Sequence, residues 1–349
     1  MSSTTKLSNQ VTFNAPSNIA IVKYWGKIGV QEPINPSISF TLKNSFTTTS
    51  VTYLPKTENK QIEAKFLFEE KENRQFATRV IQYLESVKEE IPFITRFQLL
   101  IESKNSFPHS SGIASSASSM AALALCLTDI QKTLNNSTSI NYQHASHLAR
   151  LGSGSGCRSI KGKWNLWGKT PLQANSSNLY AVEIEAIAPI FNTLCDTILI
   201  IDPEKKKTSS TAGHSLMNDH PFKAGRIVQA NQNIKTLLAT LASGDFDKFI
   251  EITENEALTL HGLMLSSNPS YTLLLPNTLV AIQKIRDFRE QTHLPLCFTL
   301  DAGPNIHLIY PSEVSDQIVP FIETELLSLC FQKKAIFDII GNGATQIKL

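Results

Sequence analysis

Apolar positions along this chain repeat with two different periods. Between residues 72 and 91, Phe76, Val80, Ile81, Leu84 and Val87 fall on one stripe at helical spacing, which predicts an amphipathic helix. Residues 115–127 are Ala-rich and read as a buried helix, and residues 143–151 carry a further helical pattern. Short runs bounded by turn or polar residues predict strands at residues 11–15, 45–54, 97–101, 181–187 and 197–201. From about residue 190 the pattern becomes more helical, with helices expected over residues 223–242, 246–265 and 275–292. Leu296, Phe298 and Leu300 alternate before Asp301, and Ile306, Leu308 and Tyr310 follow Asn305, so a strand pair is expected to flank that turn. A helix over residues 313–329 and a strand over residues 334–340 close the chain. Strands mixed with helices, without regular βαβ alternation, favour an α+β fold.

Composition narrows the class. At 349 residues the chain exceeds what one ordinary core supports, so two domains or one large cleft-bearing domain are expected. An apolar fraction of 42% against 18% charged residues excludes a disordered, collagen-like or coiled-coil chain. Lys plus Arg is 32 and Asp plus Glu is 30, a net charge of +2 that provides no global field for holding nucleic acid. No apolar run approaches the ~18 residues a membrane span requires. The start, Met1-Ser2-Ser3-Thr4-Thr5-Lys6, has no apolar signal core. Cys126, Cys157, Cys195, Cys297 and Cys330 are scattered and odd in number, which argues for reduced thiols rather than a disulfide framework or a thiolate metal site. A globular cytoplasmic protein is expected.

Four stretches carry residues suited to chemistry. Residues 106–117 place Pro108 and Gly112 in a loop and Ala114, Ser115 and Ser116 at the start of the Ala-rich helix. Free amides at such a start cradle phosphate, and hydroxyls there add donors or a Mg²⁺ ligand; the same residues equally suit a capped helix that packs closely. No Walker P-loop sequence occurs. Gly152-Ser153-Gly154-Ser155-Gly156-Cys157-Arg158 is either a flexible connection or a tight, donor-rich loop with a guanidinium beside it for phosphate or carboxylate. Lys23-Tyr24-Trp25-Gly26-Lys27 either points two cations and a phenol into an anionic pocket or forms an edge strand with solvated lysines. Asp301-Ala302-Gly303-Pro304-Asn305 is a good turn by composition, and carries chemistry if Asp301 faces a cleft as an ionised base. His144 with His147 marks a helix surface rather than a zinc site, and Lys205-Lys206-Lys207 is either a solvated run or, beside Thr208-Ser209-Ser210-Thr211, a polyphosphate contact.

In this order and at this spacing the four stretches, with Asn35-Pro36-Ser37-Ile38-Ser39-Phe40-Thr41-Leu42 between them, resemble the diphosphomevalonate decarboxylase family of the GHMP kinase superfamily. The likeness runs from about Phe13 to Asn305. Residues 15–27 are similar to the family's opening signature and residues 107–117 to its phosphate loop. The Lys-Tyr-Trp-Gly-Lys and Asp-Ala-Gly-Pro-Asn blocks separate the decarboxylases from ordinary GHMP kinases. Gly156 stands where the family usually has Ala, His109-Ser110-Ser111 where many members carry Thr and Ala, and Thr211 where some bacterial members have an arginine. The segment between Lys27 and Asn35 is shorter than in the animal and fungal enzymes.

The resemblance implies a GHMP kinase fold of two α/β subdomains around a deep cleft. Residues 1–190 would carry the ATP phosphate loop and residues 191–349 the catalytic aspartate. It further implies ATP-dependent decarboxylation of (R)-5-diphosphomevalonate to isopentenyl diphosphate, CO₂, ADP and phosphate, with Mg²⁺ as cofactor and a homodimeric state. Asp301 corresponds to the aspartate that orients or deprotonates the C3 hydroxyl. Lys23 corresponds to the lysine that keeps it ionised, and Arg158 to the fork that binds the substrate carboxylate. Tyr24, Lys27, Ser153, Gly154 and Ser155 would take the diphosphate, with Ser209 and Ser210 closing over it. Pro108, Ser111, Gly112, Ala114, Ser115 and Ser116 would meet ATP, with Ser116 also at the Mg²⁺. The sister readings are a decarboxylase of 5-phosphomevalonate and a mevalonate 3-kinase, whose kinase-only members lack the Asp–Lys pair. A different class, an inactive GHMP-fold binding module, would be expected to have lost Asp301 or Ser116.

Overall fold

Two long strands organise the chain, and neither alternates cleanly between buried and exposed positions. The computed structural model describes residues 9–56, 61–107, 115–203 and 210–348. β1 (Gln10–Val22) and β4 (Ser37–Pro55) pair antiparallel along almost their whole length. The expected strand at residues 11–15 is the first part of β1, which continues past Pro16 through a register shift between Pro16 and Asn18. Proline, read as a stop, is absorbed at this irregularity. The expected strand at residues 45–54 is likewise the second part of β4. Its first part, Ser-Ile-Ser-Phe-Thr-Leu, is buried on both faces, so its hydroxyl residues give no outward-facing signal.

The remaining elements, in order, are β2 (Lys27–Ile28), β3 (Glu32–Pro33), β5 (Glu63–Phe68), β6 (Lys71–Glu72), α1 (Arg74–Val87), β7 (Phe97–Asn105), α2 (Ser115–Leu134) and α3 (Tyr142–Gly152). A 3-10 turn (Gly154–Ser159) leads to β8 (Trp164–Trp167) and β9 (Ala181–Glu183). Then come β10 (Leu194–Leu199), α4 (Ser210–Ser215), α5 (Lys223–Ser243), α6 (Phe246–Leu265), α7 (Pro276–Thr292), β11 (Cys297–Thr299), β12 (Ile306–Pro311), α8 (Ser315–Phe321), β13 (Ala335–Ile339) and β14 (Thr345–Ile347). The first sheet runs β14-β1-β4-β7-β5-β6, with β8 on the early part of β4 and β9 on β8; the second runs β11-β12-β10-β13. The mixed, non-alternating topology is the α+β class expected. Two local expectations fail. The strand over residues 181–187 stops at Glu183. The helix over residues 313–329 breaks into α8, a π turn (Ile322–Leu326) and 3-10 turns around Pro320, which has no N–H to continue the ladder.

α1, α2 and α3 cover one face of the first sheet, burying Phe13, Val51, Leu99 and Ile101 against Leu84, Ala121, Leu125 and Leu148. A second cluster joins Ile19, Phe40 and Trp164 of that sheet to Ile198 and Ile309 of the other and to Ile234, Leu237 and Phe249 of the helices between. Apolar burial therefore runs continuously from one sheet to the other. A polar joint sits at the same seam. Asp338 of β13 is 2% exposed and accepts from the backbone amides of Lys43, Asn44, Ser45 and Ile339 at 2.7–3.2 Å, fastening the bend in β4 to the second sheet.

Candidate active site

The end of β1, the turn between β11 and β12, and the start of the 3-10 turn after α3 converge in one cleft. Lys23 follows the last residue of β1 and is 2% exposed. Its Nζ donates to Asp301 Oδ1 at 3.1 Å, across 278 residues of sequence. This arrangement excludes the solvated edge-strand reading for Lys23; Lys27 lies partly exposed in the short strand β2. Burial pulls the Lys23 ammonium below its ordinary value and Asp301 pushes the other way, so the carboxylate is what keeps a cation tenable here. The Asp301 turn is also pinned from behind, where its carbonyl accepts from His261 Nε2 at 3.1 Å. Asn305 ties the far side of the turn to Asp202 through Nδ2 to the carbonyl and Oδ1 to the amide.

Arg158 is also 2% exposed, but its partners are neutral. Nε donates to Ser39 Oγ at 2.9 Å and to Asn18 Oδ1 at 3.3 Å, and Nη1 to Ser37 Oγ at 2.6 Å, with Trp167 beneath the guanidinium. Burial lowers its affinity for the proton, while the nearby Asp301 carboxylate raises it. No carboxylate of the described residues forms an ion pair with it. The hydroxyls of β4 thus hold a guanidinium in place while leaving its charge uncompensated, an arrangement suited to an incoming anion.

The Gly/Ser segment is a tight turn rather than a tether. Ser153 ends α3, and Gly154, Gly156, Cys157 and Arg158 are buried in the 3-10 turn that follows. Asn18 Nδ2 donates to the Ser155 carbonyl and to Ser159 Oγ, fixing the turn to β1. A Cβ on Gly156 would lie 2.9 Å from the Ala149 carbonyl, so this position favours a residue without a side chain. On Gly154 it would lie 2.8 Å from the Tyr24 hydroxyl, which is buried and has no partner among the described residues. An orphaned phenol facing a bare glycine backbone, beside a buried cation, fits a small oxyanionic group.

Ser115 and Ser116 open the 20-residue α2, whose first turn carries no acidic residue. Ser116 Oγ lies 3.4 Å from Ser153 Oγ, so the helix start and the turn meet at one point. This hydroxyl-lined helix N-terminus suits phosphate with its metal ion. Pro108, Ser111, Gly112 and Ala114 lie outside the described residues, as do Lys205, Lys206, Lys207 and Ser209; Ser210 begins α4. Lys27 donates to Gln31 across the β2–β3 hairpin and sits close enough to His214 to affect its charge. His144 and His147 pair with Glu90 along α3, apart from the cleft.

The comparisons decide the family. Residues 15–178 match the family described as "Diphosphomevalonate decarboxylase-like N-terminal domain" and residues 197–339 match "Mevalonate 5-diphosphate decarboxylase C-terminal domain". The diphosphomevalonate decarboxylase of Ganoderma lucidum is 31% identical over 331 residues, covering 90% of this chain and 81% of that protein. The chain belongs to the diphosphomevalonate decarboxylase family. The solved mevalonate diphosphate decarboxylase of Staphylococcus aureus superposes with a TM-score of 0.84 at 28% identity, covering 97% of this chain and 98% of that one. The complex of MDDEF with MVAPP, AMPPCP and magnesium superposes at 0.83 and 28%, covering 97% and 99%.

Four residues of this family member's cleft escaped the sequence reading. His214 accepts from the Gly26 amide through Nδ1 at 2.9 Å and packs against Tyr24 and Trp25. Arg226 and Glu256 form a two-pronged buried ion pair that reaches Lys23, and His261 reaches Asp301. A signal for the ion pair did exist. Arg226 lies on the stripe Arg226, Ala230, Ile234, Leu237, Leu241, and Glu256 among Ile252, Thr253, Ala257 and Leu260, so the two helices carry charges of opposite sign on their buried sides, with Glu254 a second buried acid of α6. Burial, then the neighbouring Lys27 charge, pulls His214 down to about 3, so it stays a neutral acceptor. A neutral buried histidine adds stability above the usual histidine value of about 6.5, and that stability is lost as pH falls towards 3. His214→Asn keeps an acceptor for Gly26 and removes the titration. Urea unfolding at several pH values between 6 and 4 is then expected to lose up to about 1.4 kcal/mol per pH unit of its slope; an unchanged slope contradicts this.

Proposed function

We propose that this chain catalyses ATP-dependent decarboxylation of (R)-5-diphosphomevalonate, giving isopentenyl diphosphate, CO₂, ADP and phosphate. The observation that carries the reading is the Lys23–Asp301 pair, 3.1 Å apart, in the same cleft as an Arg158 guanidinium that has only neutral partners. One carboxylate for a hydroxyl proton and one unpaired fork for a substrate carboxylate match this reaction. The family membership and the related complex with MVAPP, AMPPCP and magnesium support it.

The chemistry follows from a poor leaving group. A tertiary hydroxyl does not depart as hydroxide, so its oxygen first takes the γ-phosphoryl group of ATP. The C3–O bond then breaks with release of phosphate while the C1–C2 bond breaks with release of CO₂, and its electron pair forms the new double bond. Asp301 accepts the proton of the C3 hydroxyl as phosphoryl transfer proceeds, with Lys23 fixing the carboxylate's direction. An ordinary carboxylate is a weak base for an alcohol, so positioning and electrostatics contribute most of its effect. Arg158 holds the C1 carboxylate until its charge disperses into CO₂. Tyr24, Lys27, Ser153, Gly154 and Ser155 take the diphosphate, a role the resemblance also gives to Ser209 and Ser210. Ser115 and Ser116 receive the ATP phosphates, with Pro108, Ser111, Gly112 and Ala114 before them. Mg²⁺, which Ser116 would help to hold, neutralises phosphate charge when bound. The buried free thiols support a cytoplasmic setting; no described helix is long and apolar enough to cross a membrane.

The decisive assay supplies mevalonate, its 5-phosphate and its 5-diphosphate in turn, and measures ADP and CO₂. Equimolar ADP and CO₂ from the diphosphate alone is expected; ADP without CO₂, or preference for the monophosphate, contradicts the proposal. Arg158→Lys tests the assignment within the site. It keeps the charge but loses the fork, and breaking a charge-assisted pair in a desolvated site costs about 2–5 kcal/mol, well over tenfold in turnover or substrate affinity. Isopentenyl diphosphate lacks the carboxylate, so its inhibition constant is expected to change little in Arg158→Lys and to rise in Tyr24→Phe. Equal weakening in both variants would put Arg158 on the diphosphate.

A further inference from the structure

Lys23 stands where β1 leaves β4, so neither of its main-chain polar groups is held by the sheet. Both are held by side chains. Its amide donates to Glu256 Oε2 at 2.8 Å, and its carbonyl accepts from Arg226 Nη2 and Asn35 Nδ2, each at 3.0 Å. Glu256 is fully buried and accepts from Arg226 Nη1 and Nη2 at 2.7 Å each and from Asn233 Nδ2 at 2.6 Å. Five residues further along the same helix, His261 Nε2 donates to the Asp301 carbonyl at 3.1 Å. The apolar side chains of α6 do the same in parallel. Leu260, Leu263 and Met264 cluster with Trp25, two residues after Lys23, and with Ala302, next to Asp301.

We propose that α6 is the jig that sets the Lys23–Asp301 separation, with Glu256 and His261 as positioning residues acting through the two main chains. The inference rests on the Lys23–Asp301 pair being the catalytic pair. A buried ion pair such as Arg226–Glu256 gives little stability that apolar residues of the same volume would not give. What apolar residues cannot do is satisfy the amide and carbonyl of Lys23 at a point where the ladder has ended. The two reacting-site residues come from opposite ends of the sequence, and α6 is the element that grips the backbone of each. A displacement of about 1 Å in a catalytic group is enough to lower turnover by about a hundredfold. Fixing two backbones to one rigid helix is a direct way to prevent it.

The test compares kcat and KM for His261→Phe, His261→Gln and Glu256→Gln, each alone and combined with Lys23→Met, with thermal unfolding as a control on folding. His261→Phe removes the donor to Asp301 and is expected to lower kcat at least about tenfold while both KM values move less than about twofold. His261→Gln, whose amide can donate from nearly the same place, recovers most of the turnover. Glu256→Gln behaves like His261→Phe if it folds; the His261 pair carries the test if it does not. In the Lys23→Met background, followed over hours at high enzyme concentration, His261→Phe and Glu256→Gln add less than about a twofold loss, because the Lys23–Asp301 separation that α6 sets no longer joins an ammonium to the carboxylate. Equal losses in both backgrounds, failure of Gln to rescue, or a rise in KM with kcat unchanged overturns the positioning role. If Lys23→Met alone leaves turnover intact, the catalytic reading of the pair falls first and this inference with it.

Discussion

Burying an ammonium group without a partner is untenable, and the geometry of this cleft follows from how that problem is solved at Lys23. The partner is Asp301, so the end of β1 and the β11–β12 turn must meet. Meeting there requires the first sheet to lie against the second. The cluster of Ile19, Phe40 and Trp164 with Ile198, Phe249 and Ile309 supplies the apolar contact that makes this possible. Asp338, capping the bend of β4 from β13, fastens the same seam with hydrogen bonds. The ion pair is thus the polar end of an interface whose stability comes from apolar burial.

The two buried cations, Lys23 and Arg158, are handled in opposite ways, and the difference fits the roles proposed for them. Lys23 is neutralised by a carboxylate, which suits a residue that must orient a base. Arg158 rests on two serine hydroxyls, an asparagine oxygen and a tryptophan face. Such contacts fix the plane of the guanidinium while leaving its positive charge for a ligand. The Tyr24 hydroxyl, facing Gly154, adds a donor without adding charge. Together these groups form a region that is positive on the Arg158 side, with the Asp301 carboxylate paired to Lys23 and Glu256 tied to Arg226, a polarity that fits the proposed carboxylate- and phosphate-bearing substrate.

How much of this could be read from the sequence depends on whether a residue's role is local. The blocks around Lys23, Arg158 and Asp301 stand out because Gly, Ser, Pro and aromatic residues crowd into short segments, and the structure brings these three residues near one another. Helices such as α6 were legible to the residue because their apolar spacing is regular. The early part of β4 was not, because hydroxyl residues buried against Arg158 imitate an exposed polar face. Pro16 concealed the length of β1, and β14, a three-residue strand paired with β1, is too short to register a period. His214, Arg226, Glu256 and His261 sit singly in ordinary helical sequence. Their roles arise from partners 30 to 233 residues away, a relation that no local pattern displays.

The central claim, that the carboxylate of Asp301 is the chemical centre of the cleft, is tested most directly by the turnover of Asp301→Asn at saturating ATP and 5-diphosphomevalonate. The amide has nearly the same shape, so calorimetric binding of isopentenyl diphosphate serves to confirm an intact site. If Asp301 accepts the proton of the C3 hydroxyl, as proposed, turnover falls by about 10²–10⁴-fold while that binding is preserved. Turnover within a few fold of the parent, in a folded variant that binds normally, would contradict the account.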